Sequence, residues 1–350
     1  MTSLRLIVLL ACLSAACGAP GPDLSSASRF PATATPASIP SASAAGSPAT
    51  TPDASAVKLV EFPVGRGQGP HDVAPAPDGG VWYTAQRTGE LGYLDPKTGA
   101  TRMVTLGSGS APHGVIVGPD GNPWITDGGL NAIVRVDART NQVTRYPLPG
   151  PNVNLNTATF DTNGTLWFTG QSGYFGHLDP KTGAVKVIPS PRGAGPYGIT
   201  STPDGRIFYA SLANSYVAWI DLKEDIATPI DPPTPGQGAR RVWADSKSQI
   251  WVSEWNAGQL GFFSAHVNLW KEWKIPGNAM PYAVYVDDQD IVWLTDFGAN
   301  AIVRFDPRTE TFTSYPHAQP NAAVRQLLGR SGEVWGAMSG QDKLLLIRTR

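Results

Sequence analysis

Residues 112–127 read Pro112-His113-Gly114-Val115-Ile116-Val117-Gly118-Pro119-Asp120-Gly121-Asn122-Pro123-Trp124-Ile125-Thr126-Asp127. A short apolar run, a Pro-Asp-Gly turn and a second apolar run opening on tryptophan describe two strands joined by a tight turn. The pattern continues through Ala132 to Val136, which alternates as a third strand. A turn follows at Asp137 to Asn141, and Val143 to Leu148 forms a fourth strand. The same turn recurs as Asp95-Pro96-Lys97-Thr98-Gly99 and Asp179-Pro180-Lys181-Thr182-Gly183.

The unit repeats along the chain. Its anchoring aromatic falls at Trp82, Trp124, Trp167, Phe208, Trp251, Trp293 and Trp335, with gaps of 41 to 43 residues. Four strands per repeat at this period define an all-β, seven-bladed β-propeller. Each indole is expected to fill the seam between neighbouring blades. The last repeat ends at Arg350 after three strands. The missing fourth matches Val57-Lys58-Leu59-Val60-Glu61-Phe62-Pro63-Val64, so the N-terminal strand is expected to close the ring and remove its open edges.

The propeller therefore occupies residues 57–350. Ahead of it, residues 1–17 carry Arg5, a short apolar run from Leu6 to Leu13, and small residues before Cys17. This is a signal-peptide pattern of the bacterial lipoprotein kind. Cys17 is the expected modified residue, with Cys12, ordinary secretion or an uncleaved anchor as alternatives. Residues 18–56 are Ala, Ser, Pro, Thr and Gly with almost no large apolar side chain, a disordered tether. The expected location is outside the cytoplasmic membrane, facing periplasm or exterior, anchored by lipid or secreted.

Both cysteines lie in the leader, so the propeller has no disulfide and no cysteine metal site. Lys and Arg number 27 against 28 Asp and Glu, a formal net charge of −1. That balance gives no electrostatic case for nucleic acid, and membrane contact is expected only through the anchor. A monomer holding a small molecule or cyclic peptide in its central funnel is expected.

Function is sought where the repeats diverge in polarity. The first ring stands eleven residues before each anchor: His71, His113, Asn156, Tyr197, Arg240, Tyr282 and Val324, or Arg325 if that strand is shifted by one. The second stands three residues after it and includes Asp127, Ser211, Glu254 and Asp296. His113 and His71, on adjacent blades, are candidate catalytic residues. Asp127 is a candidate metal ligand beside them. Asn156, Tyr197, Arg240, Glu254, Tyr282, Asp296 and Arg325 are candidate ligand-binding residues. The competing reading has the histidines only opening their strands, and Glu254 and Asp296 bridged to Arg240 and Arg325. Trp243, Trp255 and Phe297 would wall the cavity or simply pack.

The region from Val57 to Arg350 resembles the streptogramin B (virginiamycin B) lyase family. The resemblance rests on the 112–127 motif, Thr159 to Thr169, Trp251-Val252-Ser253-Glu254-Trp255, and the run from Asp296 to Arg304. It implies a carbon–oxygen lyase that opens cyclic depsipeptide esters by elimination, using a magnesium ion, a histidine base and nearby glutamates. The family's histidine positions on the last two blades hold Tyr282 and Val324 or Arg325 here, and its carboxylate position falls near Met338-Ser339. The matching set lies two blades further round, at His71, His113 and Asp127, with Ala111 where a glutamate is expected. A non-catalytic binding propeller and a lactonase-like hydrolase are the alternative functions.

Overall fold

The computed structural model describes residues 57–349. The leader and tether assigned to residues 1–17 and 18–56 lie outside the described residues.

The described residues form seven four-stranded antiparallel sheets and no helix. Blades 1 to 6 span 70–105, 112–147, 155–189, 196–230, 239–274 and 281–316. Each runs in sequence order from its inner to its outer strand. Blade 7 takes three strands from 324–348 and its outermost strand from the other end of the chain, Lys58–Pro63. That strand pairs antiparallel with Lys343–Arg348, from Lys58↔Arg348 to Pro63↔Lys343. A carboxylate latches the junction: Asp342 accepts hydrogen bonds from Gly67 N (2.8 Å) and Gly69 N (2.7 Å). Gly69 has φ +54°, and a Cβ there would strike the Arg87 side chain, so the glycine is needed at this latch.

The core is seven separate seams. Trp82 packs with Val115 and Ile125 of blade 2, and Trp124 with Leu155 and Leu166 of blade 3. The ring closes where Trp335 of blade 7 packs with Val73 and Val81 of blade 1. Each indole thus buries its apolar body in the next blade. In blades 2, 3, 5 and 6 the polar edge is also satisfied, which is why an acidic residue recurs in the turn before those tryptophans. Trp124 Nε1 donates to Asp120 (3.1 Å), Trp167 to Asp161 (3.1 Å), Trp251 to Asp245 (3.1 Å) and Trp293 to Asp287 (2.8 Å).

Closure through residues 57–64 makes a direct prediction. Deleting through Val64 exposes the edge at Lys343–Arg348 and should lower the melting temperature sharply or prevent folding. Deleting only through Ala54 should leave it unchanged. Equal melting temperatures for the two truncations contradict closure.

Candidate functional site

The seven inner strands contact one another around the central axis. Each begins with an irregularity. In blade 1 the pairing jumps from Pro70↔Ala85 to Val73↔Tyr83, and in blade 2 from Pro112↔Asp127 to Gly114↔Thr126. Such a bulge re-aims side chains and lets two consecutive residues serve the site. In blade 7 the jump follows Val324↔Met338, so Val324 holds the place of Pro70 and Arg325 that of His71.

A hydroxyl two residues after the anchoring aromatic secures each of five bulges, Thr295 among them accepting from Ala283 N (2.9 Å). Asp72 N donates to Thr84 Oγ1 (2.9 Å), which donates to the carbonyl of His113 on the next blade (2.8 Å). Gly114 N donates to Thr126 Oγ1 (2.9 Å), which donates to Asn156 O. Arg241 N and Ser253 Oγ repeat the arrangement toward Tyr282 O (3.1 and 2.8 Å). Thr169 donates to Tyr197 O. Blade 7 has Ala337 at this position, and Gln326 Oε1 instead accepts from Val73 N of blade 1 (2.9 Å).

The side chains meet in two tiers. The His71 and His113 rings lie 3.9 Å apart. Asn156 Nδ2 donates to His113 Nε2 (3.2 Å), so the proton of neutral His113 sits on Nδ1, which is buried without a partner. Tyr197 and Tyr282 bring their hydroxyls within 2.6 Å across the blade between them. The intervening Arg240 lies 3.6 Å over the Tyr282 ring and donates to Tyr197 Oη (2.9 Å). Arg325 donates to Ser339 Oγ (2.7 Å) and approaches the same tyrosine ring at 5.9 Å. Trp255 and Phe297 border this cluster, Phe297 stacked on Tyr282 at 4.9 Å. Trp243 instead packs on Tyr285 (5.1 Å). It lines the deeper channel with Val115, Ile199, Val242 and Leu327.

The lower tier holds a carboxylate that one-residue-per-strand indexing passes over. Asp72 Oδ1 accepts from His71 Nδ1 (2.8 Å) and from Arg241 Nη2 (3.2 Å), which reaches across the ring from blade 5. Asp72, His71 and Arg241 are all buried. Burial, then the charges of Arg325, Arg241 and Arg240, hold the His71 imidazole well below its ordinary range. Burial and then His71 do the same to His113. Burial raises Asp72, against the pull of Arg241. Burial also raises the Tyr197 phenol. For Tyr282 burial again resists ionisation, but Arg240 and Arg241 outweigh it and hold the phenol below its ordinary value.

The remaining sequence candidates lie elsewhere. Asp127 is not the carboxylate of the histidine pair: its oxygens accept from Ala111 N (2.9 Å), Leu130 N (3.0 Å) and Ser110 Oγ, tying down loops. Asp296 does the same for Met280 N and Gly298 N (both 2.8 Å). Neither Glu254 nor Asp296 bridges to Arg240 or Arg325. Glu254 leans over Gly261, where a Cβ would come within 2.5 Å of its Oε1. It occupies the kind of space that Tyr83 fills over Gly92 and Phe168 over Gly176 in other blades. Both its oxygens lack hydrogen-bond partners.

The family resemblance implies a magnesium ion in this funnel. One ligand atom each from His71, Asp72 and His113 lies within 4.8 Å of the others, close enough to share an ion. Magnesium, however, takes an octahedral shell of oxygens. The one carboxylate here is already shared by an imidazole and a guanidinium, and Arg240 and Arg325 add positive charge. These residues do not fit magnesium.

Burial, then the neighbouring Glu272, pushes Glu254 from 4.5 up to about 9. Between those values the folded chain keeps a proton that the unfolded chain has released, so stability falls as pH rises through that window. Glu254→Gln should raise the melting temperature at pH 7, and the gain should shrink as pH falls toward 4.5. A destabilised Glu254→Gln at pH 7 would show an ionised, paired glutamate.

The chain matches the virginiamycin B lyase family over residues 51–279. No curated protein matches it by sequence. A solved streptogramin B lyase superposes with TM-score 0.77 at 24% identity, covering 83% of this chain and 97% of that one. A catalytically inactive virginiamycin B lyase from Staphylococcus aureus, solved with quinupristin, gives 0.78 at 23% identity, covering 83% and 99%. The extracellular domain of a putative hybrid two component system from B. thetaiotaomicron gives 0.69 at 15% identity, covering 84% of this chain and 43% of that one. At these identities the solved structures share the fold, while the family match covers well over half of the sequence. The chain is a member of the virginiamycin B lyase family.

Proposed function

We propose that the protein is an exported carbon–oxygen lyase that acts by elimination, with His71 as its base and no need of magnesium. The observation that carries this reading is the His71–Asp72–Arg241 chain. Asp72 accepts the Nδ1 proton at 2.8 Å and is itself held by Arg241 at 3.2 Å. The ring is thereby fixed in the tautomer whose Nε2 carries the lone pair. Its depressed basicity keeps it neutral at neutral pH, the form a general base requires.

In the proposed step His71 Nε2 takes the proton from a carbon α to a carbonyl. The electron pair of that bond becomes the new C=C bond, and the bond from the β carbon to oxygen breaks. The departing oxygen keeps the bonding pair, and the imidazolium returns the proton. No water is consumed and no oxidant is needed. Arg240 and Arg325 stabilise the negative charge that develops on the carbonyl oxygen, the task a metal would otherwise perform. His113, with its proton on Nδ1, serves as a donor rather than the base.

A cyclic depsipeptide ester of the streptogramin B kind is the substrate class to assay first. Elimination leaves the substrate mass unchanged, lactonase-like hydrolysis adds water, and a purely binding propeller gives no product. Removing a positioned base costs about 10²–10⁴ in rate. His71→Ala should therefore slow turnover by that order, and by more than His113→Ala. A larger loss for His113→Ala assigns the base to His113. Export rests on the leader: Cys17→Ser should release the protein from the membrane fraction or leave it as an unprocessed precursor, and unchanged fractionation together with an unchanged mature N-terminus counts against lipid anchoring.

A further inference from the structure

We infer that the funnel recognises a carboxylate-bearing organic molecule, with Arg240 and Arg325 holding the acid group and the Trp255–Phe297 rim covering an apolar part. This rests on the same funnel as the lyase reading, whose ester-opening step leaves a carboxylate on the product, but it concerns binding and stands or falls by a separate measurement.

The charge is uncompensated from within. Arg241 has a carboxylate partner, Asp72. Among the described residues neither Arg240 nor Arg325 is in an ion pair, and each donates only to a neutral hydroxyl. The nearby acids do not serve them. Asp127 spends both oxygens and Asp296 its Oδ1 on loop donors, neither is in an ion pair with these arginines, and Glu254 leans away over Gly261. A half-buried guanidinium with no counter-charge can take one from a ligand anion.

Unsatisfied donors point the same way. Arg240 Nε and Arg241 Nε are buried without partners, as is His113 Nδ1. Leaving a buried donor unpaired costs about 1–3 kcal/mol, and carboxylate oxygens are the acceptors that fit a guanidinium edge. Arg240 and Arg325 are half-buried and Tyr197 and Tyr282 buried beneath them, so an acid group meets the arginines first. Half-buried Trp255 and Phe297 stand beside Arg240, whose guanidinium lies 4.5 Å from the Trp255 ring. An inorganic anion would leave this aromatic rim uncovered, whereas an organic acid uses both features.

The test is titration calorimetry of the full chain at constant ionic strength with phenylacetate, its neutral amide phenylacetamide, and inorganic phosphate. Phenylacetate should bind, phenylacetamide should not, and phosphate should bind more weakly than phenylacetate. Loss of one charge-assisted contact corresponds to about tenfold or more in affinity. Arg240→Gln and Arg325→Gln should each weaken phenylacetate binding by that factor while Arg87→Gln does not, with melting temperatures confirming that all three variants fold. Equal binding of acid and amide, tighter binding of phosphate, or unchanged affinity in both funnel variants overturns the inference. Acid binding without turnover would sink the lyase reading and leave this one standing. Turnover of a neutral depsipeptide without acid binding would do the reverse.

Discussion

A four-stranded sheet has two faces to hide and cannot hide either alone. Here each blade drives one aromatic side chain into its neighbour, and the seven seams form the whole core. The arrangement is stable only when the circle is complete, because the seam between blades 7 and 1 needs Trp335 against Val73. Completion also sets the position of every inner strand. The funnel is therefore a consequence of seam packing, and its residues are free to vary because they contribute little to it.

The bulge is the second constraint. Its displaced amides need acceptors, and a threonine or serine hydroxyl provides one while donating to the next blade. The backbone under His113, Asn156, Tyr197 and Tyr282 is thus fixed by the preceding blade, and a mobile loop is not asked to position a catalytic side chain. The extra residue of the bulge also brings Asp72 beneath His71 and Arg241 beneath Arg240.

Much of this was legible in the sequence for a physical reason. The tryptophan spacing, the acidic turn and the N-terminal fourth strand are local features dictated by packing, so a repeat exposes them. The ring from His71 to Tyr282 was legible for the same reason. Asp72 was not, since a strand indexed at one residue per blade cannot reveal a two-residue bulge. A signal existed in the recurring hydroxyl at Thr84, Thr126, Thr169, Ser253 and Thr295, which has no role on a regular strand. The partner of Asp72 is Arg241, 169 residues away, and only the closed ring brings them together. Asp127 and Asp296 read as site carboxylates because their acceptors face loop amides that a sequence does not show. Glu254 read as a ligand-binding residue, or in the competing reading as an ion-pair partner, because a carboxyl group at the funnel was expected to face a ligand or a cation, whereas it fills space over Gly261.

The assembled site has one carboxylate and three guanidiniums where the family resemblance implies a magnesium centre. On the proposed reading, negative charge in a bound molecule would be met by these arginines, and the proton would be taken by an imidazole oriented by Asp72. The most direct measurement is a calorimetric titration of the metal-stripped protein with magnesium, paired with metal analysis after dialysis. The account predicts no saturable magnesium binding in the wild-type protein. Stoichiometric binding that disappears in His71→Ala and Asp72→Asn would contradict it.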